Sequence, residues 1–168
     1  MTKKKIRLGI IGFTYKWQQK LSVADLERLG KNALGFYPLS NIFTISAIKT
    51  RKVCGKYWPS KDSIESEEID GMKKDTEVIA IIRRRNLCWA DTDEKKVYSI
   101  DNPIVTAHEL GHIVGLKHPS SKCNYGECSE EYFKQCPYSE NIMGCNPLSK
   151  EVREFSSKDI NQLENLAN

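Results

Sequence analysis

The sequence predicts an α+β domain, and three observations carry that prediction. Strand-like and helix-like segments alternate along the first part of the chain, a helix near Pro103 follows a group of three strands, and a final helix comes after a cysteine-bearing stretch without regular periodicity. The 168 residues, 39% of them hydrophobic, suit one domain with a core of its own, and no internal repeat or low-complexity tract divides the chain. With 29% charged residues and no run near the roughly 18 apolar residues a membrane span needs, a transmembrane protein is excluded.

Each element has a local reason. Residues 5–13 are expected as a buried first strand; their apolar run is short, is broken by Arg7 and lacks a small-residue cleavage site, so it does not fit a signal peptide. Ser22 followed by Asp25 resembles a capping box, and Leu26, Leu29, Ala33, Leu34 and Tyr37 keep helical spacing until Pro38. Residues 42–52 alternate and predict a second strand, whereas the polar stretch 55–74 is expected as a long irregular surface connection. Residues 77–84, 86–90 and 95–100 predict three more strands. Asn102 can cap the next helix, with Pro103 placed where a missing N–H costs nothing, and Ser156 or Ser157 starts a last helix running to about Leu166.

The net charge of +4 is uneven, because residues 1–52 hold 11 Lys and Arg against 2 Asp and Glu. A basic face in solvent is expected there. Nucleic-acid binding is disfavoured, since neither interleaved aromatics nor a nucleic-acid motif accompanies the charge. Arg83, Arg84 and Arg85 are expected as a strand end in solvent, with an acidic substrate as the alternative.

All three histidines of the chain lie in the stretch His108-Glu109-Leu110-Gly111-His112-Ile113-Val114-Gly115-Leu116-Lys117-His118. His108 and His112 stand at i and i+4 on one helical face, so both imidazoles can reach one ion at about 2.0 to 2.1 Å. Gly115 falls where the helix must stop, and a glycine there can take the left-handed conformation that swings His118 in as a third ligand. Three neutral imidazoles leave a fourth position open, the mark of a catalytic zinc, and Glu109 is placed to approach a water at that position. Chance produces this pattern in a chain of this length at a frequency on the order of one in 10⁵.

With those residues the chain resembles the metzincin clan of zinc metallopeptidases, whose signature is H-E-x-x-H-x-x-G-x-x-H followed by a methionine-containing turn. The match runs from His108 to His118, and Asn141-Ile142-Met143-Gly144-Cys145 resembles the turn. The resemblance implies a twisted, mostly parallel five-stranded sheet with a backing helix and an active-site helix, above a small irregular lower part ending in a helix. It implies one catalytic domain over 1–168, with 1–115 above the cleft and 116–168 below. It also implies that His108, His112 and His118 bind zinc, that Glu109 is the general base for a metal-activated water, and that Met143 forms the apolar floor. Residues 86–90 become a candidate cleft-edge strand that pairs with extended substrate. Astacins and serralysins carry a tyrosine where this chain has Cys145. Archaemetzincins carry a cysteine after the third histidine and a later C-x-x-C, where this chain has Pro119 and no C-x-x-C. That resemblance is partial, adamalysins and pappalysins also suit the cysteine-rich stretch, and the family within the clan stays open.

The expected activity is a zinc-dependent endopeptidase acting on proteins or peptides; the alternatives are a non-catalytic, zinc-stabilised binding module and an exopeptidase of the same clan. Cys123, Cys128, Cys136 and Cys145 crowd a segment with little apolar content, which calls for a second, structural zinc or for two disulfides, with free thiols as the remaining case. Cys54 is expected as a partner of Cys88 or as a buried thiol. A monomer is expected, in the cytoplasm or, if a leader precedes this sequence, secreted.

Overall fold

The computed structural model describes residues 4–15, 18–53, 58–83, 88–119, 141–144 and 154–168, with 58–63 as backbone only. Among these described residues, five strands and five helices follow in the order β1 (Ile6–Tyr15), α1 (Val23–Leu34), α2 (Leu39–Ile42), β2 (Phe43–Val53), α3 (Trp58–Lys73), β3 (Val78–Ile82), β4 (Trp89–Asp91), β5 (Lys96–Ser99), α4 (Pro103–Ile113) and α5 (Ser157–Ala167). The strands form one sheet in the order β2-β1-β3-β5-β4. β1 is parallel to β2 and β3, β3 is parallel to β5, and β4 runs antiparallel along the edge of β5. This is the mixed α+β architecture with a mostly parallel five-stranded sheet that the sequence predicts.

Period-two alternation explains how the sheet is covered on both faces. In β1, Leu8 and Ile10 face one cluster and Ile11 and Phe13 the other; in β3, Val78, Ala80 and Ile82 oppose Ile79 and Ile81 in the same way. The first face carries α1, through Leu26, Leu29, Ala33 and Leu34, together with Ala107 and Leu110 of α4. The capping box at α1 forms as expected: Asp25 N–H donates to the Ser22 hydroxyl at 3.1 Å while Ser22 N–H donates to the Asp25 carboxylate at 3.1 Å.

Two expectations are corrected. The stretch expected as an irregular connection contains α3, a 16-residue helix. Its apolar stripe is too thin to announce itself, with Ile69 and Met72 filling the second sheet face against Ile11, Phe13 and Ile81. Arg83 is the second correction, for it does not end its strand in solvent. Its guanidinium bonds the buried carboxylate of Glu65 in α3, which also accepts from the Tyr15 hydroxyl, and lies 5.0 Å from the centre of the Tyr98 ring. A buried glutamate with two donors fixes where α3 sits; one without them would cost several kcal/mol, on the order of 3 to 5. Arg84 and Arg85 lie outside the described residues.

Candidate metal centre

The middle of α4 is buried because it runs between the sheet and the turn at 141–144: Val105, Thr106, Ala107, His108, Glu109, Leu110 and Gly111 are all inaccessible or nearly so. Its start is fixed by Asn102, whose side-chain oxygen accepts from Ile104 N–H at 2.9 Å and Val105 N–H at 3.2 Å, with Pro103 at the first helical position. Thr106 ties the helix back to β5 through the Ser99 hydroxyl at 3.0 Å.

The helix ends as its glycine predicts. Gly115 has φ +89°, Gly115 N–H donates to His112 O at 3.0 Å, and Leu116 N–H reaches back to Gly111 O at 2.9 Å. These two bonds are the Schellman pattern, which reverses the chain and satisfies carbonyls the helix would otherwise leave open. The reversal has a second effect. It brings the Leu116 carbonyl to His112, whose Nδ1–H donates to it at 2.9 Å, and it carries His118 onto the same side as the two helical histidines.

The three Nε2 atoms converge, at 3.1 Å between His108 and His118, 3.2 Å between His108 and His112, and 3.0 Å between His112 and His118. His108 Nδ1–H is committed to the Ile142 carbonyl at 2.6 Å. A neutral imidazole carries one proton, so with Nδ1 donating to a carbonyl in both His108 and His112, their Nε2 atoms are bare lone pairs. Lone pairs at this separation repel unless a cation lies among them. Three nitrogens each about 2.05 Å from a tetrahedral ion stand about 3.3 Å apart, close to the distances found here. Burial also holds His112 below the usual imidazole value, against the weaker upward pull of the Leu116 carbonyl, which favours the neutral ligand form. The three histidines form a group able to hold a metal ion.

Glu109 lies in α4 between His108 and His112 and is 5% exposed. Burial pushes its carboxyl up to about 8. Met143 is fully buried and rests against Gly111, where an added Cβ would stand 2.6 Å from its Sδ. Sequence reasoning gave no role of their own to Gly111, Asn141 or Asp159. Gly111 carried the available signal, since a helix interior rarely keeps a glycine without a close approach to accommodate.

Cys88 is disulfide-bonded, and Cys54, Cys123, Cys128, Cys136 and Cys145 lie outside the described residues, as do residues 86 and 87 of the expected edge strand. β4 does form the sheet edge, and Trp89 there stacks on Tyr98 with ring centres 4.0 Å apart. Among the described residues no helix is long and apolar enough to cross a membrane.

No known protein family matches the chain, and no curated protein matches it. Among solved structures it is similar to metalloproteinase-II from Bacteroides fragilis, at 13% identity and a TM-score of 0.50. The likeness covers 100% of this chain and 55% of that one, so the chain spans about half the length of its structural relative. At that identity the likeness bears on architecture alone: the sheet and helices of this chain are arranged as in a metalloproteinase fold.

Proposed function

We propose that the chain is a zinc-dependent endopeptidase, one catalytic domain over 1–168 with His108, His112 and His118 as metal ligands and Glu109 as general base. The observation that carries the reading is the convergence of three Nε2 atoms within 3.2 Å, two of them deprotonated because their rings donate through Nδ1 to backbone carbonyls. Zinc suits a site of three imidazoles with an open fourth position. A bound ion supplies Lewis-acid polarisation of a carbonyl and of water, and a positive charge that favours the ionised form of a neighbouring carboxyl.

The protein's own residues do the rest. Ile142 and Leu116 hold the rings of His108 and His112 in the tautomer that presents Nε2. Glu109, ionised beside the occupied site, accepts a proton from the attacking water and passes it to the departing amine, which leaves neutral as the peptide bond breaks. Its burial removes competing solvent from that transfer. β4, at the antiparallel edge of the sheet, offers backbone groups with which an extended peptide can pair. Met143 closes the apolar floor, and 1–115 and 116–168 form the two sides of the cleft. For Cys123, Cys128, Cys136 and Cys145 the reading keeps a second zinc or two disulfides, with free thiols as the remaining case.

Metal analysis of the purified protein, combined with digestion of an unbiased peptide library by wild type and Glu109→Ala, tests the reading. One zinc per three-histidine site and internal cleavage that the variant has lost support it. Metal uptake with no cleavage in either protein replaces it with a binding module, and cleavage confined to chain ends replaces it with an exopeptidase.

A further inference from the structure

α5 contacts the histidine site at two separate points. The first runs through Asp159, 8% exposed, whose Oδ2 accepts from Ser156 N–H at 3.2 Å, from the Ser156 hydroxyl at 2.5 Å and from the side-chain amide of Asn141 at 3.3 Å. Asn141 in turn accepts Met143 N–H on its side-chain oxygen at 2.8 Å and Gly144 N–H on its carbonyl at 2.8 Å, while Ile142 N–H donates to Glu154 O at 3.0 Å. The N–H groups of Ile142, Met143 and Gly144 are thus held by Glu154 O or by Asn141. Ile142 O, in the middle of the turn, is the carbonyl that receives His108 Nδ1–H. The second point is Gln162, whose side-chain amide donates to Gly115 O at 3.2 Å. Gly115 is the left-handed residue between His112 and His118, so this bond sits on the reversal that delivers the third histidine. Asp159 and Gln162 are three residues apart and share a helix face.

A cap on α5 needs only the bonds between Ser156 and Asp159. The Asn141 bond is additional, and it links a helix start to the acceptor of a metal-ligating ring. Gln162 is exposed, and a docking role alone would not select the carbonyl of the one left-handed residue beside the site. We infer that α5 is a positioning element for the three-histidine site, with Asp159 acting on His108 through Asn141 and the Ile142 carbonyl, and Gln162 acting on the 112–118 reversal through Gly115. The inference rests on the reading of the three histidines as ligands of one ion. Neither residue touches the reacting atoms; both hold the ligands within the few tenths of an ångström that a metal site tolerates.

The test uses the full chain loaded with zinc, and measures the rate of metal release to an excess of a chromogenic chelator, with the visible spectrum of the cobalt-substituted protein as a report on ligand geometry. Asp159→Ala is expected to speed release about tenfold, the lower end of what partners of ligating residues contribute, and Gln162→Ala by several-fold. Asp159→Asn, which keeps an acceptor oxygen, recovers most of the loss. Tyr37→Phe is the control: it removes the bond from the Tyr37 hydroxyl to Glu164 at 3.0 Å, elsewhere on the same helix, and lowers melting temperature without changing release or spectrum. Release within twofold of wild type in both Asp159→Ala and Gln162→Ala overturns the inference, and so does an equal acceleration in Tyr37→Phe. Should Asp159→Ala fail to fold, Gln162→Ala, an exposed position taking the best helix former, decides alone. Wild-type protein that takes up no metal overturns the ligand reading and this inference with it, a result visible before any variant is made.

Discussion

Gly111 lies inside α4, one residue before His112, and replacing it with alanine sets two effects against each other. In an ordinary helix interior the change stabilises by about 0.8 to 1 kcal/mol, because glycine pays more backbone entropy than alanine. Here the new Cβ would stand 2.6 Å from Met143 Sδ and 3.3 Å from both Met143 Cε and Leu116 Cδ1. The first distance is roughly 1 Å inside normal contact, and such overpacking costs about 1 to 3 kcal/mol. Met143 is fully buried, so its side chain has little room to swing away. The clash wins, and Gly111→Ala is expected to destabilise by about 1 kcal/mol, or roughly 2 to 4 °C in melting temperature for a chain of this size. Met143→Ala alone is expected to cost about 2 to 5 kcal/mol through the cavity it leaves. In that background the obstacle is gone, and Gly111→Ala should now stabilise by up to about 1 kcal/mol. Urea unfolding of the four proteins measures both steps. A Gly111→Ala change with the same sign in both backgrounds would refute the steric argument.

Three further outcomes follow from the site and from α1. Chelation should abolish hydrolysis and zinc should restore it; full activity in excess chelator would remove the metal from the reaction. Glu109→Ala should keep stoichiometric metal while losing about 10²- to 10⁴-fold in turnover, because it removes a base and no ligand, and retained turnover would move the base elsewhere. Asp25, held below the usual carboxylate range first by the Ser22 hydroxyl and then by Ser22 N–H, binds fewer protons folded than unfolded at acidic pH. Its stabilising contribution is complete above the unfolded value and fades as pH falls through the lower folded one. The stability gap between wild type and Asp25→Asn should therefore be open at neutral pH and close below about pH 4, and a gap independent of pH would argue that the carboxylate charge is irrelevant to the cap.

What the sequence announces and what it conceals divide along a physical line. β1 and β3 are legible because Leu8, Ile10, Ile11 and Phe13, and the run Val78 to Ile82, need only period two to place them on both faces of a sheet. α1 and α4 are legible because their caps are local, Ser22 with Asp25 and Asn102 with Pro103. α2, four residues long, has no periodicity to read. α3 stays hidden for a different reason. Its docking depends on Glu65 meeting Tyr15 and Arg83, side chains from two other strands' ends, and a buried glutamate looks in sequence like one more residue of a polar stretch.

The metal centre splits in the same way. His108, His112 and His118 are legible as candidate ligands because a metal site needs imidazoles at set spacing, and Gly115 because only glycine readily takes φ +89°. The groups that aim those imidazoles are the carbonyls of Ile142 and Leu116, and every residue type supplies a carbonyl. No pattern search can single them out, since their positions depend on a turn held from α5 and on the Schellman reversal of α4. The aiming groups surface in sequence only where they forbid something. Gly111 is such a place: a Cβ there would push Met143, and with it the turn that carries Ile142 O, away from His108. A glycine between two histidines of the candidate site is thus the one-letter trace of a backbone acceptor on another segment, which is why its replacement should disturb the fold and the geometry of that site together.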